Sequence, residues 1–75
     1  MTVVLETYRN ECGEVADIQQ DKYCSAYTLE ICKPIQEKPG FAITILKRNY
    51  TSKKTARQAM RNYDKTWKKI FPKEE

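Results

Sequence analysis

The spacing of the apolar residues changes once along this chain, and that change constrains the fold more than any other feature. Up to Leu46, apolar and β-branched side chains recur at every second position in several runs; beyond Thr51 they recur at every third or fourth. Alternation puts successive side chains on opposite faces of a strand, whereas the longer period builds one face of a helix. The first part of the chain is therefore expected to form a sheet and the last part a helix.

In a first strand, Val3, Leu5 and Thr7 alternate with Val4, Glu6 and Tyr8, and residues 10–14 around Gly13 supply turn chemistry. In a second, central strand, Tyr23, Ser25, Tyr27, Leu29 and Ile31 share one face, and Cys24, Ala26, Thr28, Glu30 and Cys32 the other. Between them, Val15, Ala16 and Ile18 either extend the first hairpin or form a short strand of their own; the segment is too brief for its period to decide. Pro34 ends the second strand because it lacks a ladder donor, and Lys38-Pro39-Gly40 turns the chain back. Phe41, Ile43 and Ile45 then alternate with Ala42, Thr44 and Leu46 in a third strand, and the short connections make the sheet antiparallel.

Thr51 or Ser52 caps the helix, with Tyr50 as a hydrophobic staple, and the pattern then runs for about 18 to 20 residues until Pro72. At ~100° per residue, Ala56, Ala59, Met60, Tyr63, Trp67 and Ile70 form one apolar face. The opposite face is basic: Arg57, Arg61, Lys65 and Lys68 all fall within about 60° of Lys54. The expected architecture is a single domain over residues 1–75, a small two-layer α+β fold. A three-stranded antiparallel sheet is followed by one C-terminal amphipathic helix, in the order β-β-β-α. Phe41, Ile43, Ile45, Tyr27, Leu29, Ile31, Leu5, Met60, Tyr63 and Trp67 are the expected core, and the other sheet face, with Glu6, Tyr8, Thr28, Glu30 and Thr44, is left open.

With 75 residues, this chain buries about 60% of the surface its unfolded form exposes, so a deep cleft would compete with its only core. The sequence contains no histidine, which removes the commonest general base near neutral pH and the commonest neutral nitrogen ligand for metals. Glu6 and Glu30, sharing the open face in this reading, would need desolvation to reach a catalytic pKa. Cys12, Cys24 and Cys32 form an odd set without paired metal-knuckle spacing, and Cys24 and Cys32 on one strand would stand roughly 27 Å apart. Glycine occurs only at Gly13 and Gly40, in separate turns, so no phosphate-cradling loop is present. No enzyme, cofactor or metal site is expected.

Charge supplies the functional expectation. Residues 1–46 carry four basic against seven acidic side chains, and residues 47–75 ten against three. Lys54, Arg57, Arg61, Lys65 and Lys68 on one helix face would span about 20 Å, a reach suited to several phosphates, with Gln58 and Asn62 flanking them to meet base edges. A solvated helix face carries similar charges with no partner at all. Sheets that read DNA carry Arg and Lys on their open face; here Glu6 and Glu30 would repel phosphates, so the helix carries the expectation. The chain thus reads as a non-enzymatic binding module for an anionic partner, most simply nucleic acid, or a nucleic-acid-handling protein with an acidic surface. The alternative is a protein-binding regulator or inhibitor of the phage or mobile-element type. It would act through the open sheet face, with Tyr8 and Thr28, or through a sheet edge, and those same surfaces allow a homodimer. Residues 1–6 lack the basic start and apolar run of a secretory signal, and no apolar stretch approaches the ~20 residues of a membrane span, so a cytoplasmic location is expected.

Overall fold

A computed structural model describes residues 2–21, 23 and 25–72. The chain runs β1 (Thr2–Arg9), β2 (Val15–Asp21), β3 (Tyr27–Pro34), β4 (Ala42–Tyr50), α1 (Lys53–Tyr63) and β5 (Lys68–Phe71). All neighbouring strands are antiparallel, in the spatial order β4-β3-β2-β1-β5. The first four strands form a meander; α1 then crosses the sheet, packing on β2, β3 and β4, and delivers β5 to the far edge beside β1.

The class is α+β in two layers, but the expected three-stranded β-β-β-α arrangement is corrected to five strands in the order β-β-β-β-α-β. Two local causes account for the difference. Residues 15–21 form a full strand in the middle of the sheet, where Ala16 and Ile18 are completely buried. The helix has 11 residues rather than 18 to 20, and the segment after it supplies β5. The second of the expected strands starts at Tyr27 and not Tyr23, and Cys24 lies outside the described residues.

The core is small: Ala16, Ile18, Leu29, Ile31, Ala56 and Met60, with Tyr8, Leu46, Tyr50, Ala59 and Trp67 packed around it. Each fully buried large aliphatic side chain among these contributes about 1.5–3 kcal/mol. Of the expected core, Leu29, Ile31 and Met60 are buried, whereas Phe41, Ile43, Ile45 and Tyr63 are exposed. Phe41 and Ile43 sit where the β3–β4 hairpin overhangs the sheet, since β2 pairs with β3 only as far as Val15 opposite Cys32.

Two register shifts decide which side chains face the helix. In β1, Val4 pairs with Gln19 but Glu6 pairs with Ile18, so Leu5 is the extra residue. That bulge turns Glu6 and Tyr8 toward α1 instead of the open face. In β4, Leu46 pairs with Ile31 and Thr44 with Cys32, so Ile45 is extra and Leu46 points to the core while Thr44 does not. Simple alternation grouped Thr44 with Leu46 and Tyr8 with Thr28; the bulges separate both pairs.

Candidate functional site

The helix begins at Ser52, whose side chain accepts the Thr55 N–H at 3.2 Å and so satisfies one of the unpaired donors of the first turn. It buries Ala56 and Met60 against the sheet. It stops because Asp64 adopts an extended backbone while its N–H still reaches the Met60 carbonyl at 3.1 Å. The Asp64 carboxylate then accepts both the N–H and the hydroxyl of Thr66, at 3.0 and 2.5 Å, closing a local turn, and these bonds hold its pKa below the usual carboxylate value. Trp67 follows, and its indole N–H donates to the same Met60 carbonyl at 2.8 Å. The chain thereby folds Trp67 back under the end of α1.

This reversal builds a groove of about 440 Å³ between the C-terminal half of α1, the loop after it and β1. It is lined by the aromatic side chains of Tyr8 and Trp67, by Met60, and by Gln58, Arg61, Asn62 and Lys65. The Tyr8 hydroxyl donates to Glu6 at 2.9 Å, and Tyr63 lies beside Trp67 with ring centroids 6.3 Å apart. Gln58 and Asn62, one turn apart, are joined by a 3.2 Å amide bond. Among the described residues no carboxylate lines the groove, and neither Arg61 nor Lys65 has an ion-pair partner.

Arg57, the second of the five residues of the expected basic face, has a different task. Its guanidinium makes a two-point contact with Glu6, 2.8 Å from Nε to Oε1 and a closer one from Nη2 to Oε2, and Lys69 of β5 approaches the same carboxylate at 3.8 Å. Glu6 is buried, so this contact clamps α1 to β1 and β5 from inside the molecule. The Arg57 hydrogen bond, helped by Tyr8 and opposed by burial, holds the Glu6 carboxyl at about 2, against an ordinary 4.5. The same contact raises the Arg57 pKa further, and burial followed by the Glu6 bond raises that of Tyr8. At the mouth of the turn between β1 and β2, Glu14 accepts the Tyr63 hydroxyl at 2.7 Å, which pushes that hydroxyl up to about 12.

The five cations expected on one helix face are therefore distributed. Lys54, Arg57 and Arg61 are on α1, Lys65 is in the following loop and Lys68 is on β5. Arg61 and Lys65 meet in the groove; Arg57 is committed to Glu6. Gln58 and Asn62 stand beside the first two, as their flanking positions required. Tyr8 and Thr28 are not brought together: Tyr8 lines the groove on the helix side, whereas Thr28 bonds to Asn49 at 2.8 Å on the open face. Trp67 was legible only as a core residue, because its contribution to the groove depends on where the helix stops.

The open face is a ladder of polar pairs, with Thr7 bonded to Asp17, Gln19 and Thr44 to Glu30, and Thr28 to Asn49. Glu6 and Glu30 lie on opposite faces, so they form no acid–base pair. Cys12 is an exposed free thiol in the β1–β2 turn, and Cys32 is a free thiol 3.8 Å from the Thr44 hydroxyl. Among the described residues no group of three or more His, Cys, Asp or Glu is placed to hold a metal ion, and no helix is long and apolar enough to cross a membrane. In comparisons with protein-family models, curated proteins and solved structures, the chain has no match.

Proposed function

We propose that this chain is a non-enzymatic, cytoplasmic binding module whose partner is anionic, most simply nucleic acid, and that the groove at the end of α1 is where contact is made. The observation that carries the reading is the meeting of Arg61 and Lys65, without ion-pair partners among the described residues, on a concave surface that also holds two aromatic rings and two amides. Cations attract phosphates, aromatic faces accept bases and amides bond to base edges, so the three chemistries together suit nucleic acid better than a simple acidic surface. Lys54 and Lys68, both exposed, extend the positive field on either side. The free thiols Cys12 and Cys32 suit a reducing compartment.

Fluorescence anisotropy with labelled single-stranded DNA, duplex DNA and RNA tests the proposal. Binding should weaken as salt rises, and Arg61→Glu with Lys65→Glu should remove most of it, whereas Lys38→Glu with Lys47→Glu, the same change in charge away from the groove, should not. Two lost phosphate contacts on a single strand correspond to a salt slope shallower by about 1.4 in log–log form. No binding to any of the three at low salt overturns the proposal.

A second reading, a protein-binding regulator, has its own observation. Strand β4 is an edge strand of nine residues; Ile43 and Ile45 on it are 59% and 43% exposed, and Phe41 just before it is 64% exposed. Unpaired backbone groups beside apolar side chains suit a strand supplied by another protein.

A further inference from the structure

The groove's own chemistry narrows the kind of nucleic acid it takes, an inference that rests on the reading above. Both aromatic residues have their polar atoms committed inside the protein: the Trp67 indole N–H to the Met60 carbonyl, and the Tyr8 hydroxyl to Glu6. What they offer the groove is ring surface, held in place before any ligand arrives. The Gln58–Asn62 bond uses the Gln58 Nε2 and the Asn62 Oδ1, leaving the acceptor Gln58 Oε1 and the donor Asn62 Nδ2 for a ligand.

The cations fit a local contact and not a long one. On α1 only Lys54 and Arg61 remain at the ends of the basic face once Arg57 is bound to Glu6, about 10 Å apart by helix rise. Lys65 and Lys68 leave the helix altogether. A continuous row of cations along a duplex backbone is therefore absent from this helix, while Arg61 and Lys65 both border the aromatic groove. In a duplex the faces of the bases are stacked and hidden; an unpaired strand exposes them.

We infer that the groove takes one unpaired base of a single-stranded nucleic acid, stacked on the Trp67 and Tyr8 rings and met at its edge by Gln58 and Asn62, with Arg61 and Lys65 on the neighbouring phosphates. Since every base has a π-face and the exposed amide pair presents both donors and acceptors, sequence preference is weak.

Trp67 is the sole tryptophan, so its fluorescence reads the groove directly. The test titrates the wild-type protein at low salt with short oligothymidylate, with a sugar–phosphate oligomer of equal length lacking bases, and with duplex DNA, following anisotropy and Trp67 emission together. Oligothymidylate should bind and quench Trp67, and the base-free oligomer should bind roughly 5- to 100-fold more weakly without quenching. Gln58→Ala with Asn62→Ala, both exposed, should weaken oligothymidylate while leaving the base-free oligomer unchanged. Salt-dependent binding with equal affinity for the base-free oligomer or the duplex, and an unquenched Trp67, overturns this inference and leaves the anionic-partner proposal standing. Absence of binding to all three probes, and to a single-stranded RNA of the same length, overturns both.

Discussion

Replacing Glu6 by Gln removes one negative charge from the interior while keeping the size of the side chain, and the consequence for stability can be worked out. The Glu6 side chain is 6% exposed, and its carboxyl is held at about 2 instead of 4.5, chiefly by the Arg57 hydrogen bond. At ~1.4 kcal/mol per pH unit, that gap corresponds to a stabilisation of about 3 kcal/mol. Breaking a buried pair by removing one partner typically costs ~3–5 kcal/mol, which agrees in scale. Against the ~4–11 kcal/mol expected of a chain of this length, the loss is large. The sign of the pH dependence follows from the depressed value: the contribution is complete above pH 4.5 and is lost as pH falls toward 2. Urea unfolding followed by Trp67 fluorescence should therefore show Glu6→Gln less stable by about 3 kcal/mol at pH 7, with the difference from wild type shrinking toward zero between pH 4.5 and 2. Because other carboxylates titrate in the same range, the difference between the two proteins is the readout. A difference under about 1 kcal/mol at pH 7, or one that stays constant down to pH 2, refutes the assignment of this clamp.

Two further stability predictions separate the observed core from the one that alternation suggests. Leu29→Ala, at a site with 0% exposure, should cost about 2–5 kcal/mol in urea unfolding, whereas Ile43→Ala, at 59% exposure, should cost less than about 1 kcal/mol. Ser52→Ala removes the cap on Thr55 and should cost about 0.5–2 kcal/mol, with a loss of helical circular dichroism on warming that begins before the main transition.

Much of the local structure was legible from the residues. A cap at Thr51 or Ser52, a role the structure gives to Ser52, Gly13 and Gly40 in the two turns, both at positive φ, and Leu29, Ile31 and Met60 as core all follow from turn chemistry and periodicity. What was not legible depends on contacts between distant segments. Residues 15–21 become a central strand because Ala16 and Ile18 meet Ile31 and Leu29 across the sheet, which a short apolar run cannot announce. The bulges at Leu5 and Ile45 reverse the alternation, and a bulge is a matter of register between two strands.

The candidate site shows the same division. Ile70 and Trp67 fit the helical period, yet the helix ends at Tyr63 because Asp64 and Thr66 close a turn and Trp67 bonds back to Met60. That stop places Lys65 with Arg61 and moves Lys68 to a strand. Arg57 fits a solvated face by its position on the wheel, and only the burial of Glu6 beneath it reveals its structural task.

The most direct test of the account is a map of amide shifts, including the Trp67 indole and the Gln58 and Asn62 side-chain amides, as short oligothymidylate is added to isotope-labelled protein. The account predicts that the largest changes fall on Tyr8, Gln58, Arg61, Asn62, Lys65 and Trp67, while Thr28 and Glu30 on the open face stay still. Changes centred on the β4 edge around Phe41 and Ile43, or no changes at all, contradict it.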